Sequence, residues 1–234
     1  MKKAFVLSAI IICLLSSAFI LTKIEKRYII TDFGAKGDSL TLNTKAIQTA
    51  IEQCAANGGG VVIVPKGIFI SGAVFLKKGV NLEVEKGGVL KGSVNPEDYP
   101  QIKTRWEGED KTWTSAFINA NDLNGITISG EGTIDGSGDI WTARATKARA
   151  EGNVNPIRVG RPRLICFQNC KNATIANLRL HNQAVWCLHI LYSDHVLVQN
   201  LKISADHNIP SSDGIDVDSS TDIHITECDI DVND

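Results

Sequence analysis

Apolar and polar residues alternate along most of this chain. Near the C-terminus the alternation is written three times: Asn172 to Leu180 (NATIANLRL), His195 to Ile203 (HVLVQNLKI) and Asp222 to Ile230 (DIHITECDI). Aligning Ile175, Val198 and Ile225 gives steps of 23 and 27 residues. Short alternating strands at that period predict a solenoid, because no single coil buries its own apolar face and each must be covered by a neighbour. Outward residues of successive coils then lie about 4.8 Å apart, so residues remote in sequence meet on one wall. Asn177 and Asn200 fall at equivalent places, which predicts a hydrogen-bonded side-chain ladder at a bend. Glu227 takes that place in the third coil, so the ladder should stop there.

The earlier part of the chain carries the same grammar. Ile29 to Asp32 reads as a first strand, and Phe33 to Asp38 as a Gly-containing turn too irregular for a phosphate loop. Asn43 or Thr44 is placed to cap a helix, with Ala46, Ile47, Ala50, Ile51, Cys54 and Ala55 on one face and Gly58-Gly59-Gly60 ending it. One amphipathic helix ahead of many strands suits a lid over the first coil of a parallel solenoid. Strands follow from Val61, Gly67 and Val80, then at Ser115 to Ala120 and Ile126 to Ser129. Two longer loops interrupt the coils. The first, Ser93 to Thr114, carries Tyr99, Trp106 and Trp113. The second, Gly136 to Pro162, carries Trp141 and, counting Arg163, the cations Arg144, Lys147, Arg149, Arg158, Arg161 and Arg163 against Asp139 and Glu151. Such a loop either grips a sugar acid through its Arg side chains and rings or is a solvated loop anchored by Trp.

Composition narrows the class. The 234 residues are 43% hydrophobic, enough for a core, and the 20 Gly suit many strands and turns. A net charge of -2 gives no reason to expect nucleic acid. At the N-terminus, Met1-Lys2-Lys3 precedes an apolar run from Ala4 to Leu21, with Ser16-Ser17-Ala18 as a small-residue cleavage site. Residues 1–22 therefore read as a signal peptide, with an uncleaved membrane anchor as the alternative because the run is long; Cys13, preceded by Ile12, matches a lipidation box poorly. Export to the periplasm or the exterior follows. The remaining cysteines, Cys54, Cys166, Cys170, Cys187 and Cys228, are odd in number and lack the spacing of a disulfide framework or a zinc site, so they read as small core residues.

The candidate chemistry lies in Ser211 to Asp218 (SSDGIDVD) and Asp231 to Asp234 (DVND). Ile215 and Val217 share a face and should point inward, leaving Asp216 and Asp218 outward. Gly214 frees Asp213 from strict alternation. Asp213 and Asp234 are 21 residues apart, close to one coil, so they are expected side by side. Paired carboxyls are what glycosidic hydrolysis requires, one protonating the leaving oxygen while the other activates water or attacks. Such proximity also raises one pKa. From spacing alone the same residues are also readable as a solvated, solubilising face, and less readily as a calcium-binding Asp-x-Asp run.

These segments carry a resemblance. From about Ile29 to its end the chain is similar to glycoside hydrolase family 28, the polygalacturonases and related pectin hydrolases. TDFGAKGDSLTLNTKAIQTAI and GGGVVIVPKGIF are shared with a wider group of pectin-acting β-helices. More telling are GEGTIDGSG (Gly130 to Gly138), RPRLICFQNC (Arg161 to Cys170), WCLHI (Trp186 to Ile190), and above all SSDGID (Ser211 to Asp216) followed one coil later by Asn233-Asp234. The resemblance implies an all-β, right-handed parallel β-helix over residues 23–234 with an N-terminal capping helix. It implies inverting hydrolysis of α-1,4-galacturonosidic bonds in pectin, with no metal and no cofactor. Asp234 would be the general acid and Asp213 would activate water, with Asp216, His189 and Trp186 binding substrate. Spacing alone leaves the stereochemistry open, because adjacent coils place carboxyls nearer the retaining than the inverting separation. For His189 the residues themselves leave groove and core equally open; His181 and His207 adjoin turns and are weaker substrate contacts.

There are departures. Ser211-Ser212 replaces the family's usual Asn-Thr, and Asn233 its usual Gly. The family's second Asp, its Gly-His-Gly and its Arg-x-Lys all fall beyond Asp234, so the expectation is a fragment lacking its last coils and of little or no activity by itself. The expected partner is a pectic polysaccharide or oligogalacturonide, acted on by a monomer with no nucleic acid and no membrane contact beyond the N-terminal segment. The competing expectations are a calcium-dependent lyase of the same architecture and a non-catalytic carbohydrate-binding β-helix.

Overall fold

A computed structural model describes residues 25–153 and 160–234. The N-terminal segment 1–22, with Cys13, lies outside the described residues, as does Arg158. Among the described residues no helix is long and apolar enough to cross a membrane.

Three parallel sheets stack along one axis. The first holds β1 (Arg27–Ile29), β3 (Gly60–Val64), β6 (Val80–Val84), β11 (Thr127–Gly130), β14 (Lys171–Ala176), β17 (Asp194–Gln199) and β20 (Thr221–Thr226). The second holds β2 (Asp38–Leu42), β4 (Gly67–Ser71), β7 (Gly88–Gly92), β12 (Thr133–Asp135), β15 (Arg179–His181), β18 (Lys202–Ser204) and β21 (Asp229–Asp231). The third, shorter sheet holds β5 (Val74–Phe75), β10 (Ile118–Asn121), β13 (Ile165–Gln168), β16 (Leu188–Leu191) and β19 (Ile215–Asp218). Chain order runs through the sheets in turn, with a third-sheet strand in five of the seven coils, which is a right-handed parallel β-helix.

The register is the one that hydrophobic alternation dictates. Ile175 pairs with Val198 and Val198 with Ile225; Leu180, Ile203 and Ile230 form a second column. A one-residue slip would turn every apolar side chain outward, so the repeat fixes the stack. Between the first two sheets each coil bends through one left-handed residue: Asn177, Asn200 and Glu227 have φ of 64°, 50° and 56°. Asn tolerates that region better than most L residues. Asn200 Nδ2 donates to Asn177 Oδ1 at 3.0 Å, and Glu227 instead accepts from Gln199, so the ladder ends as expected.

The lid is α1 (Thr44–Ala56), which buries Ile47, Ala50, Ile51 and Cys54. Its expected cap differs. The Asn43 side chain makes no bond to the helix; it bonds Lys36 N and O, Thr41 O and Ile70 O, stapling the preceding turn to the next coil. The first strand is also shifted, ending at Ile29 before a 3-10 turn over Ile30–Phe33. Cys54, Cys166, Cys170 and Cys187 are buried and Cys228 partly so, all as free thiols.

Both long loops contain structure. The first forms an antiparallel hairpin, β8 (Gln101–Trp106) with β9 (Glu109–Thr114). The second begins with α2 (Gly138–Ala150), anchored by Trp141, whose Nε1 donates to Ser93 O at 3.2 Å. Tyr99 packs edge-on against Trp141, so both rings are core rather than surface. The hairpin lies over the outer face of the third sheet, joined through Arg163 to Thr104 Oγ1, Gln168 to Lys103 O, and Arg105 to Tyr192 and Asp218.

Candidate active site

Asp213 sits at the end of the segment between β18 and β19. Cys187 N donates to Asp213 O at 2.9 Å and Leu188 N to Gly214 O at 3.2 Å, which continues the β16–β19 ladder backwards and puts Trp186 one coil below Asp213. Along β19, Asp216 stacks on His189, and His189 on Cys166. Ile215 packs partly against the core; Val217 stacks on Ile190 but stays 48% exposed, because β19 is the edge of its sheet. Asn233 N donates to Ser212 Oγ at 3.2 Å and its side chain to Ile209 O at 3.1 Å, which seats the residues before Asp234 against the Asp213 segment.

The three carboxyls feel one another. Burial pushes Asp213 above the usual carboxylate range and the nearby Asp234 adds to it, while its own backbone amide and the Arg161 guanidinium pull the other way. Asp216 is pushed up to about 7, first by burial and then by Asp213, with Arg163 opposing and Asp234 reinforcing. Asp213 Oδ2 and Asp216 Oδ2 are both shielded from solvent without a hydrogen-bond partner among the described residues. Like charges in partly desolvated surroundings favour holding a proton, so Asp216 and Asp213 are both pushed toward their protonated forms, Asp216 further.

His189 is 1% exposed, which takes it out of the groove. Its Nδ1 lies 2.6 Å from Arg163 Nη1. Since guanidinium only donates, Nδ1 accepts, and the ring proton of a neutral His189 is then on Nε2, 3.8 Å from Asp218 Oδ2. Burial and then Arg163 lower its pKa to about 3. His189 is therefore a neutral packing residue beneath Asp216. Trp186 is half-buried and one indole face is taken: Trp106 stacks on it at 4.3 Å and 14°, and Trp113 on Trp106 at 4.9 Å and 22°. This three-ring wall was not legible in the sequence, where Trp106 and Trp113 belonged to a loop. His181 Nδ1 lies 3.1 Å from Ser204 O and Oγ, and the exposed His207 pairs with Asp231 at 2.7 Å.

The expected basic grip is dispersed. Arg163 is fully buried and Arg161 is 9% exposed. Arg144 lies over the Trp141 ring and donates to Val94 O. Sequence reasoning also missed Gln183, which is buried and donates to Ser212 O and Asp213 O; a lone Gln after a strand carries no signal of its own. Among the described residues no group of three or more His, Cys, Asp and Glu is arranged to hold a metal. A cleft of about 440 Å³ lies under the hairpin, lined by Lys103, Lys111, Gln168 and Tyr192, but it contains none of the three carboxyls. Chemistry, not size, marks the candidate site.

The residues 54–234 match the model of glycosyl hydrolases family 28. Among similar proteins, a probable polygalacturonase of Vitis vinifera is 33% identical over 209 residues, covering 85% of this chain and 41% of its own. An exo-poly-alpha-D-galacturonosidase of Dickeya chrysanthemi is 30% identical, covering 87% and 40%. Among solved structures, a family 28 exopolygalacturonase of Yersinia enterocolitica superposes with a TM-score of 0.79 at 26% identity, covering 89% of this chain and 44% of that one. A hyperthermoactive exopolygalacturonase of Thermotoga maritima gives 0.78 at 30%, covering 89% and 53%. The chain thus spans about two-fifths of the length of the curated relatives it matches. The matched model, the coil register and the sequence motifs agree: the chain belongs to glycosyl hydrolase family 28.

Proposed function

We propose that this chain carries catalytic coils of an exported pectin hydrolase that cleaves α-1,4-galacturonosidic bonds. The observation that carries the reading is the convergence of Asp213, Asp216 and Asp234 from neighbouring coils into one electrostatically coupled cluster, beside an indole wall. Relatives named as polygalacturonases supply the substrate class.

In this reading Asp234 gives its proton to the glycosidic oxygen as the bond to the anomeric carbon breaks. Asp213 takes a proton from the water that attacks that carbon from the opposite face, so the product is inverted. One proton leaves the acid and one reaches the base, and no metal is needed. Asp216, whose pKa is raised to about 7, donates a hydrogen bond to the sugar in its protonated form. Pectic polymers are met outside the cell, which agrees with export and with a monomer acting on a polymer.

The test is incubation of polygalacturonate with this chain extended to the length of its family 28 relatives, of which it spans about two-fifths. Reducing ends should accumulate without an unsaturated, ultraviolet-absorbing product, chelator should have no effect, and the first product anomer by NMR should be inverted. Asp213→Asn and Asp234→Asn should each lower kcat by about 100-fold or more. An unsaturated product, or full activity in Asp213→Asn, overturns the reading.

A further inference from the structure

Asp213 lies just ahead of β19, where the ladder reaches its own carbonyl through Cys187 N, while the Ser212 carbonyl before it is held by a side chain of the coil beneath. Gln183 is fully buried, and its Nε2 donates to Ser212 O at 2.8 Å and Asp213 O at 3.3 Å. Arg161 Nη1 donates to Ala184 O at 2.8 Å and Pro210 O at 2.5 Å, tying the coil that carries Gln183 to the segment that carries Asp213. One coil further down, a Cβ at Gly138 would lie 2.3 Å from Gln183 O, and one at Gly136 would lie 2.9 Å from Gln183 Cα. Gly138 N also donates to Asn182 O at 2.8 Å. Only bare backbone in this turn lets Gln183 come down close enough to hold both carbonyls.

The bracket is electrical as well as mechanical. The groups facing the Asp213 carboxyl are Asp216, Asp234 and the Arg161 guanidinium. Arg161 itself is lowered to about 10 by burial and then by Arg149, with Asp213 opposing. It is therefore a held cation that favours the ionised form of the Asp213 carboxyl. Guanidinium suits this place because one of its terminal nitrogens, carrying two N–H groups, reaches both carbonyls while the charge stays fixed.

We propose that Arg161 and Gln183 are positioning residues for Asp213: Gln183 sets where its carboxyl points, and Arg161 sets both the segment's height and the ease with which Asp213 ionises. This rests on the reading of Asp213 as the base, but its primary readout does not need turnover. The Asp213 carboxyl carbon is titrated by NMR in the protein and in Arg161→Met, Arg161→Lys and Gln183→Leu, each checked for fold by circular dichroism. In Arg161→Met the Asp213 midpoint should rise, because the charge that favours its ionised form is gone. The acid limb of the kcat profile should rise with it. In Arg161→Lys the midpoint should stay near that of the unsubstituted protein while kcat falls, because the shorter side chain stops its ammonium short of the two carbonyls that Nη1 holds. In Gln183→Leu the midpoint should not move, while kcat falls by about 100-fold at nearly constant KM, the scale expected for a displacement of about 1 Å.

A folded Arg161→Met with an unmoved midpoint overturns the electrical half, and a folded Gln183→Leu with undiminished kcat overturns the mechanical half. If Arg161→Met does not fold, the other two variants decide: undiminished kcat in both overturns the proposal. Turnover is read in the chain extended to the length of its relatives; if that protein does not hydrolyse polygalacturonate, the hydrolase reading fails separately and the titration still reports on Arg161.

Discussion

Asp216 stacks on His189 across adjacent coils, and the two are held uncharged by the same burial: the acid is raised to about 7 and the imidazole lowered to about 3. This pairing has a calculable effect on stability. Unfolded, Asp216 ionises near its ordinary 3.8 and His189 near 6.5. Between those values the unfolded chain holds one proton on the histidine and the native one holds one on the aspartic acid. The counts match, so the pair contributes no slope there.

Removing one partner should expose the other. In His189→Gln the raised Asp216 acts alone: its contribution is full below pH 3.8 and is lost as pH rises toward 7. In Asp216→Asn the lowered His189 acts alone, and stability should fall as pH drops from 6.5 toward 3. Each slope should approach about 1.4 kcal/mol per pH unit. Urea unfolding midpoints at several pH values check this; parallel profiles in the unsubstituted protein and both variants would rule the opposed states out.

Trp106 is the keystone of the three-indole wall, with Trp113 on one face and Trp186 on the other. Trp106→Ala should remove two stacking contacts, each worth about 0.5–1.5 kcal/mol beyond burial. It should also abolish the coupled signal of the stacked rings in circular dichroism. A lowered melting temperature together with that spectral loss is expected; an unchanged spectrum would mean the rings do not stack in solution.

The hairpin should also limit what a groove-bound chain does. Trp106 covers Trp186, one coil below Asp213, and Thr104 bonds the buried Arg163 on β8's side of the same face. On the proposed hydrolase reading, a polymer lying along that face would meet the hairpin beside Trp186, and short products are expected. Replacing residues 103–112 by a two-residue Asn-Gly turn should shift the products to longer oligomers, as read by anion-exchange chromatography. An unchanged product distribution counts against the hairpin as a stop.

Gly138→Ala places a methyl 2.3 Å from Gln183 O, a backbone atom that cannot swing aside. Overpacking of this kind costs about 1–3 kcal/mol. The expected result is a lower melting temperature, accompanied by altered chemical shifts at Ser212 and Asp213, since Gln183 holds both carbonyls. A stable variant with unaltered shifts would show that the turn has room the geometry denies.

Much of this protein is written locally. Ile175, Val198 and Ile225 announce their own register because a period-two strand has one way to bury its apolar side, and identical neighbours repeat the choice coil after coil. The Asn177–Asn200 ladder and its end at Glu227 follow from the same stacking. So does the gathering of Asp213 and Asp216 at one end of the wall. What lies against the outside of that wall is a different matter. That Trp106 covers Trp186, that Arg163 is sealed against His189, and that Gln183 holds Asp213 depend on the docking of a hairpin and on the closeness of a turn. Alternation encodes only which way a side chain leaves its own strand; what it meets there is decided by segments tens of residues away, and only the folded chain brings them together.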